Sequence, residues 1–278
     1  MAAALPVHIP YCGLPPSPGT LLTRWNLDPV LITGLVVVAG LYIFGVRRLA
    51  QRGREPSRAA RISFHTGWAI TALAVISPLC ALSVSLFWAR CAQDMILMLL
   101  AAPLVILGRP GRVFRASVGV YGEPRRSFSM PMVAAGAFAV VLWFWHAPLP
   151  YAETFASTPI YWTMHFTEYG VALWLWAGLF DCSQSRALAV IGASIFSTVE
   201  MGFLGAIITF APIALYTPYV LTTRAWGYTQ IQDQQLGGAI MWVPGCFVFF
   251  LATITVFWVM LRRLEAAEGP RPSWREAL

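Results

Sequence analysis

Seven apolar runs, separated by short polar segments, set the pattern of this chain. They fall at about residues 29–46, 62–86, 88–107, 130–145, 161–180, 187–213 and 236–261. A helix needs roughly 20 apolar residues to cross a bilayer, so each run reads as one crossing. The pattern predicts an all-α, polytopic membrane helix bundle with seven transmembrane helices. No internal repeat or second domain interrupts it, and the whole chain reads as one integral membrane domain.

The polar segments between the runs set the orientation. All nineteen basic residues are Arg. Sixteen of them (Arg47, Arg48, Arg52, Arg54, Arg58, Arg61, Arg109, Arg112, Arg115, Arg125, Arg126, Arg186, Arg262, Arg263, Arg271 and Arg275) fall on one side of the predicted bilayer. Three, Arg24, Arg90 and Arg224, fall on the other. Cytoplasmic loops carry the Arg excess. The N-terminus, with an extracytoplasmic segment over 1–28, is therefore expected outside, and the tail over 262–278 in the cytoplasm, in the manner of a multi-pass protein of a bacterial plasma (inner) membrane.

Composition agrees. The chain is 58% hydrophobic and 11% charged, where a soluble domain carries about 25% charged residues. Lipid has to cover what polar side chains do not. The net charge of +7 comes from Arg in short loops, so it reads as a topology signal and not as a nucleic-acid surface. The N-terminus lacks the basic and continuous apolar regions of a cleavable signal peptide. Five Cys (Cys12, Cys80, Cys91, Cys182 and Cys246) without a CxxC pair suggest neither a disulfide framework nor a zinc knuckle.

Ionisable residues inside membrane spans are costly and commonly functional. Most of those here gather in the outer half. Arg90 and Asp94 open the third run and, at i and i+4, are placed to form an ion pair. Met98 continues their face, with Cys91 and Met95 on the adjoining stripe. His146 ends the fourth run. His165 and Glu168 lie one to two turns into the fifth. Asp233, with Gln234 beside it, precedes the seventh, where Gly238, Trp242 and Gly245 suggest close helix packing. Glu200 lies near the middle of the sixth. His146, His165, Asp233 and Glu168 are expected to form one outer pocket. Imidazole with Met or Cys sulfur would suit Cu(I), which makes His146, His165, Cys91, Met95 and Met98 the candidate ligands. No nucleophile–base–orienter set is present, so no enzymatic activity is expected.

The segments GWAITALAVISPL, MILMLLAAPLVILGRP, WFWHAPLPY, LYTPYV and QDQQLGGAIMWVPG together resemble the CtaG-like family of cytochrome c oxidase assembly factors, from Trp25 to about Val259. The resemblance implies an assembly factor for a haem–copper oxidase, acting with the oxidase subunits in copper-centre maturation at the extracytoplasmic face. Its motifs map to Trp145, His146 and Pro148, to His165, and to Asp233, Gln234 and Gly238. Where the family opens the third span with two His four apart, this chain reads Arg90-Cys91 and Asp94-Met95. The alternatives are a membrane copper or proton-coupled transporter using Glu200, Glu168 and His165, and a b-haem carrier ligated by His146 and His165.

Overall fold

The computed structural model describes residues 9–122, 130–180 and 186–268. Arg125, Arg126, Arg271, Arg275 and Cys182 lie outside these. The described residues form eleven α-helices: α1 (Pro29–Ala50), α2 (Arg58–Ile76), α3 (Pro78–Ser85), α4 (Phe87–Met95), α5 (Ala102–Leu107), α6 (Pro110–Ser117), α7 (Pro131–His146), α8 (Pro148–Ala156), α9 (Thr158–Leu179), α10 (Ala187–Phe210) and α11 (Gln230–Glu268).

Proline and small capping residues decide where these helices begin. Proline has no amide to lose in the first turn, and α1, α3, α5, α6, α7, α8 and α9 each carry one there. Asp28 caps α1 by accepting from the Val30 amide at 2.8 Å, and Ser57 caps α2 at Ala60. Proline also breaks the longer runs. The expected second crossing over 62–86 stops at Ile76, because Ser77 takes an extended backbone ahead of Pro78 and restarts the chain as α3. At Ala147 the same device bends α7 away from α8 by 69°. Between α4 and α5 a single π-helical stretch, Ile96–Ala101, runs into Pro103. A residue with no amide hydrogen leaves the preceding carbonyls to find wider partners, and π-bulges of this kind recur at functional sites.

Five segments are long and apolar enough to cross a membrane: Pro29–Ala50, Arg58–Ile76, Phe87–Leu107, Ala187–Phe210 and Gln230–Thr255. The bent pair α7–α8 makes six if counted as one span. Helix α9 has the length, 22 residues, but its Thr, His and Glu keep it out of that set. The helix too polar to pass on composition is the one that carries His165 and Glu168.

Segment Phe87–Leu107 is the centre of the bundle, with 61% of its most apolar stretch buried, against 17% for α1 at the periphery. The most extensive helix pairing is α10 with α11. It depends on glycine: a Cβ on Gly205 would lie 2.8 Å from Trp242 Cβ and 2.9 Å from the Gly238 carbonyl, and one on Gly238 would lie 2.8 Å from the Gly205 carbonyl. Gly245 meets the Met201 side chain in the same seam. Small residues that let two backbones touch are the usual means of holding membrane helices together, and the expected packing role of Gly238, Trp242 and Gly245 is met against α10.

Cysteine use departs from expectation. Cys12 and Cys80 form a disulfide, with Cα atoms 5.4 Å apart across 68 residues of sequence, inside the usual range for such a bridge. Cys12 precedes α1 and Cys80 follows α2, so the bridge ties the N-terminal segment to the start of α3. The odd total concealed the pair; Cys91 and Cys246 are free.

Candidate functional site

Three helices deliver ionisable groups to one place in the interior. Asp94 comes from α4, one turn before the π-helical stretch. His165 and Glu168 come from successive turns of α9. One ligand atom from each of the three lies within 4.8 Å of the others. All three are buried: Asp94 is 2% exposed, His165 6% and Glu168 3%. His146 closes the group from the end of α7, its Nδ1 3.9 Å from Glu168 Oε1.

These groups lack the partners that buried polar atoms normally have. Both Asp94 oxygens, both His165 nitrogens, Glu168 Oε1 and His146 Nε2 are buried without a hydrogen bond. The space they share is bounded by Leu97, Met98 and Tyr169. His146 Nδ1 meets the Leu142 carbonyl at 2.8 Å. A carbonyl only accepts, so Nδ1 carries the proton and Nε2 keeps its lone pair. His165 is held from outside: the Tyr161 ring, one turn earlier on α9, packs at 4.4 Å.

Arg90 lies just above this group and is 1% exposed. The expected ion pair with Asp94 is not formed. The Arg90 guanidinium instead reaches Thr154 Oγ1 at 3.5 Å and Met164 Sδ at 3.7 Å and sits 4.8 Å over the Tyr161 ring. Asp94, one turn deeper, faces α9. A shared helix face does not decide the contact when each side chain meets a different neighbouring helix.

Other expected site residues are placed elsewhere. Asp233 accepts from the Phe87 amide at 2.8 Å and the Trp88 amide at 3.1 Å, which caps α4 from α11. Gln234 accepts from the Leu215 amide and donates to the Ile208 and Ile213 carbonyls, fixing the segment between α10 and α11. Glu200 accepts from Trp143 Nε1 at 3.0 Å. Trp242 packs on Gly202 and Gly205. Among the proposed sulfur ligands, Cys91 and Met95 sit in the apolar core with Phe87, Leu142, Tyr151 and Trp176. Met98 belongs to that core as well, but it also lines the space between Asp94, His165 and Glu168.

The N-terminal segment covers this region, which sequence reasoning did not foresee. The Tyr161 hydroxyl lies 3.3 Å from Cys12 Sγ and 3.8 Å from Cys80 Sγ. Tyr11 stacks on Tyr161 at 5.0 Å and meets Trp162 edge-on at 4.8 Å, while its hydroxyl donates to Asp28. That bond and the Val30 amide hold the Asp28 carboxyl below its ordinary range. Burial, and then Asp28, push the Tyr11 hydroxyl up. Below the segment, a cavity of about 430 Å³ opens between α1, α2 and α9, with Asp28 at its rim and His165, Tyr169 and Thr71 among its lining residues.

No curated protein and no solved structure matches the chain. The model of the cytochrome c oxidase caa3 assembly factor family matches residues 40–263, a span that holds α2 to α10 whole, most of α11 and every member of the buried cluster. The resemblance of the motifs, the helical architecture and this match agree: the chain belongs to the family of cytochrome c oxidase caa3 assembly factors.

Proposed function

We propose that this protein assists maturation of the copper centre of a haem–copper oxidase from the extracytoplasmic side, and that it works through the cluster of Asp94, His146, His165 and Glu168. The observation that carries this reading is the cluster itself: four ionisable side chains from three helices, buried and largely unpartnered. Intramembrane charge of this kind is expensive, so it persists where function requires it.

The topology that goes with this reading is seven crossings, N-terminus outside. Three observations support it. Arg is distributed sixteen to three between the two sides. The Cys12–Cys80 disulfide belongs in an oxidising compartment. Helix α9 is long enough to cross, and its two buried ionisable residues, His165 and Glu168, face the cluster instead of lipid. The site then lies toward the outer leaflet beneath the N-terminal segment, on the side where an oxidase would receive metal.

Deletion of the gene tests the role. The account expects loss of oxidase activity, with the residual oxidase depleted in copper while its haem remains. Full oxidase activity and full copper content in the deletion strain would overturn it.

A further inference from the structure

We infer that Asp94, His165 and Glu168 bind one divalent transition-metal ion through nitrogen and oxygen, and that this site is not built for cuprous copper. The inference rests on the cluster identified above as the working site and names the ion class it takes.

The donor chemistry decides the class. One imidazole and two carboxylates are borderline-to-hard ligands, which suit Zn(II), Cu(II) or Fe(II), while Cu(I) selects thiolate and thioether. Cys91 and Met95, which could have made a soft site, are committed to the apolar core. Met98 alone offers sulfur at the edge of the space. Geometry supports a shared ion. Bonds of roughly 2.0–2.2 Å to nitrogen and oxygen place ligand atoms about 3.4 Å apart around a tetrahedral ion. The three donors, all within 4.8 Å of one another, need only small side-chain rotations to close to that spacing. The atoms from which the ligands would be drawn, the Asp94 oxygens, one of the two His165 nitrogens and Glu168 Oε1, are among those left without hydrogen bonds. A hydrogen-bonded packing cluster would have used them.

Surrounding side chains pack on two members of the set. His146 stands against Glu168, and its orientation is fixed by the Leu142 carbonyl. Tyr161 packs on the His165 ring. The larger cavity between α1, α2 and α9 has both Asp28 and His165 among its lining residues.

The test uses purified full-length protein stripped of metal and titrated with Zn²⁺, with Co²⁺ as a spectroscopic probe, and separately with Cu⁺ under anaerobic conditions against a competing chelator. The expected result is one Zn²⁺ per chain, a Co²⁺ spectrum of nitrogen–oxygen coordination without thiolate charge transfer, and at least tenfold weaker Zn²⁺ binding in each of Asp94→Asn, Glu168→Gln and His165→Gln. Cu⁺ binding is measured in Met98→Leu as well. Wild-type protein that is folded but binds no Zn²⁺, binding that survives all three substitutions, or Cu⁺ held more tightly than Zn²⁺ and lost with Met98 would each overturn the inference. Oxidase activity of the same variants, measured in cells, separates the two readings. Assembly lost without divalent binding defeats the ion assignment alone, and Zn²⁺ binding without any assembly defect defeats the role alone.

Discussion

The imidazole of His146 stands 3.9 Å from the carboxylate of Glu168, and both side chains are nearly sealed from solvent. The His146 Nδ1 proton is already donated to the Leu142 carbonyl. Glu168 Oε1 therefore has a histidine beside it that does not neutralise it, and its own remaining neighbours at the cluster are another imidazole and another carboxylate. This crowding of unpartnered groups is unfavourable to the empty protein, and it makes a direct prediction.

Asp94→Asn or Glu168→Gln should stabilise the metal-free protein. Each removes one of two carboxyls crowded together with oxygens that lack hydrogen-bond partners, where an unsatisfied buried group costs about 1–3 kcal/mol. A rise in the thermal midpoint of detergent-solubilised, chelator-treated protein is the expected result. A fall of several degrees in both variants would show that the carboxylates hold the fold together.

Asp233→Ala should destabilise without touching the cluster. Its carboxylate satisfies two amides at the start of α4, and loss of such a cap costs about 0.5–2 kcal/mol. Melting temperature should drop while Zn²⁺ affinity stays within about twofold of wild type. An unchanged melting temperature combined with lost metal binding would return Asp233 to the site.

Gly238→Leu should reduce the amount of folded protein, because a side chain at that position runs into the backbone of α10 at Gly205 and Thr209. Overpacking costs about 1–3 kcal/mol even where side chains can yield, and backbone yields less. Gly136→Leu is the matched control, since nothing lies within 4 Å of an added Cβ there. Equal yields of the two variants would contradict the packing account.

The Cys12→Ser, Cys80→Ser double variant should free the N-terminal segment. A crosslink spanning 68 residues typically contributes about 2–4 kcal/mol. Limited trypsin digestion of intact, solubilised protein should then cleave at Arg24 faster than in wild type. Acid should have a similar, weaker effect. Asp28 is held below its usual carboxylate range by Tyr11 and the Val30 amide, so its contribution is present above the ordinary carboxylate value near pH 4 and is lost as pH falls through the folded value. Protease resistance at Arg24 that is equal in both proteins and at every pH would refute the clamp.

Among the described residues, five of the seven expected runs carry helices long and apolar enough to cross a membrane, six with the bent pair, because membrane insertion writes itself into run length, and the sequence singled out His146, His165 and Glu168, which the fold brings together. Three things could not be read. Breaks at Ser77 and Ala147 depend on how a proline's predecessor folds, which shortened the second expected crossing. The direction of a side chain from a shared helix face is set by the neighbouring helix, so Arg90 and Asp94 diverge. Asp233 shares its depth with the cluster, yet it meets the amides of Phe87 and Trp88; depth alone cannot distinguish a helix cap from a ligand. The disulfide had a signal that went unused: Cys12 falls in the expected extracytoplasmic segment and Cys80 toward the outer end of the expected second run.

The most direct measurement is complementation of a deletion strain with His165→Gln, at membrane levels matched to wild type and with the melting temperature of the purified variant confirmed. The account predicts that oxidase activity and oxidase-bound copper stay at the level of the deletion. Restoration of both to wild-type values by a protein lacking the His165 imidazole would contradict the claim that this protein acts through the buried cluster.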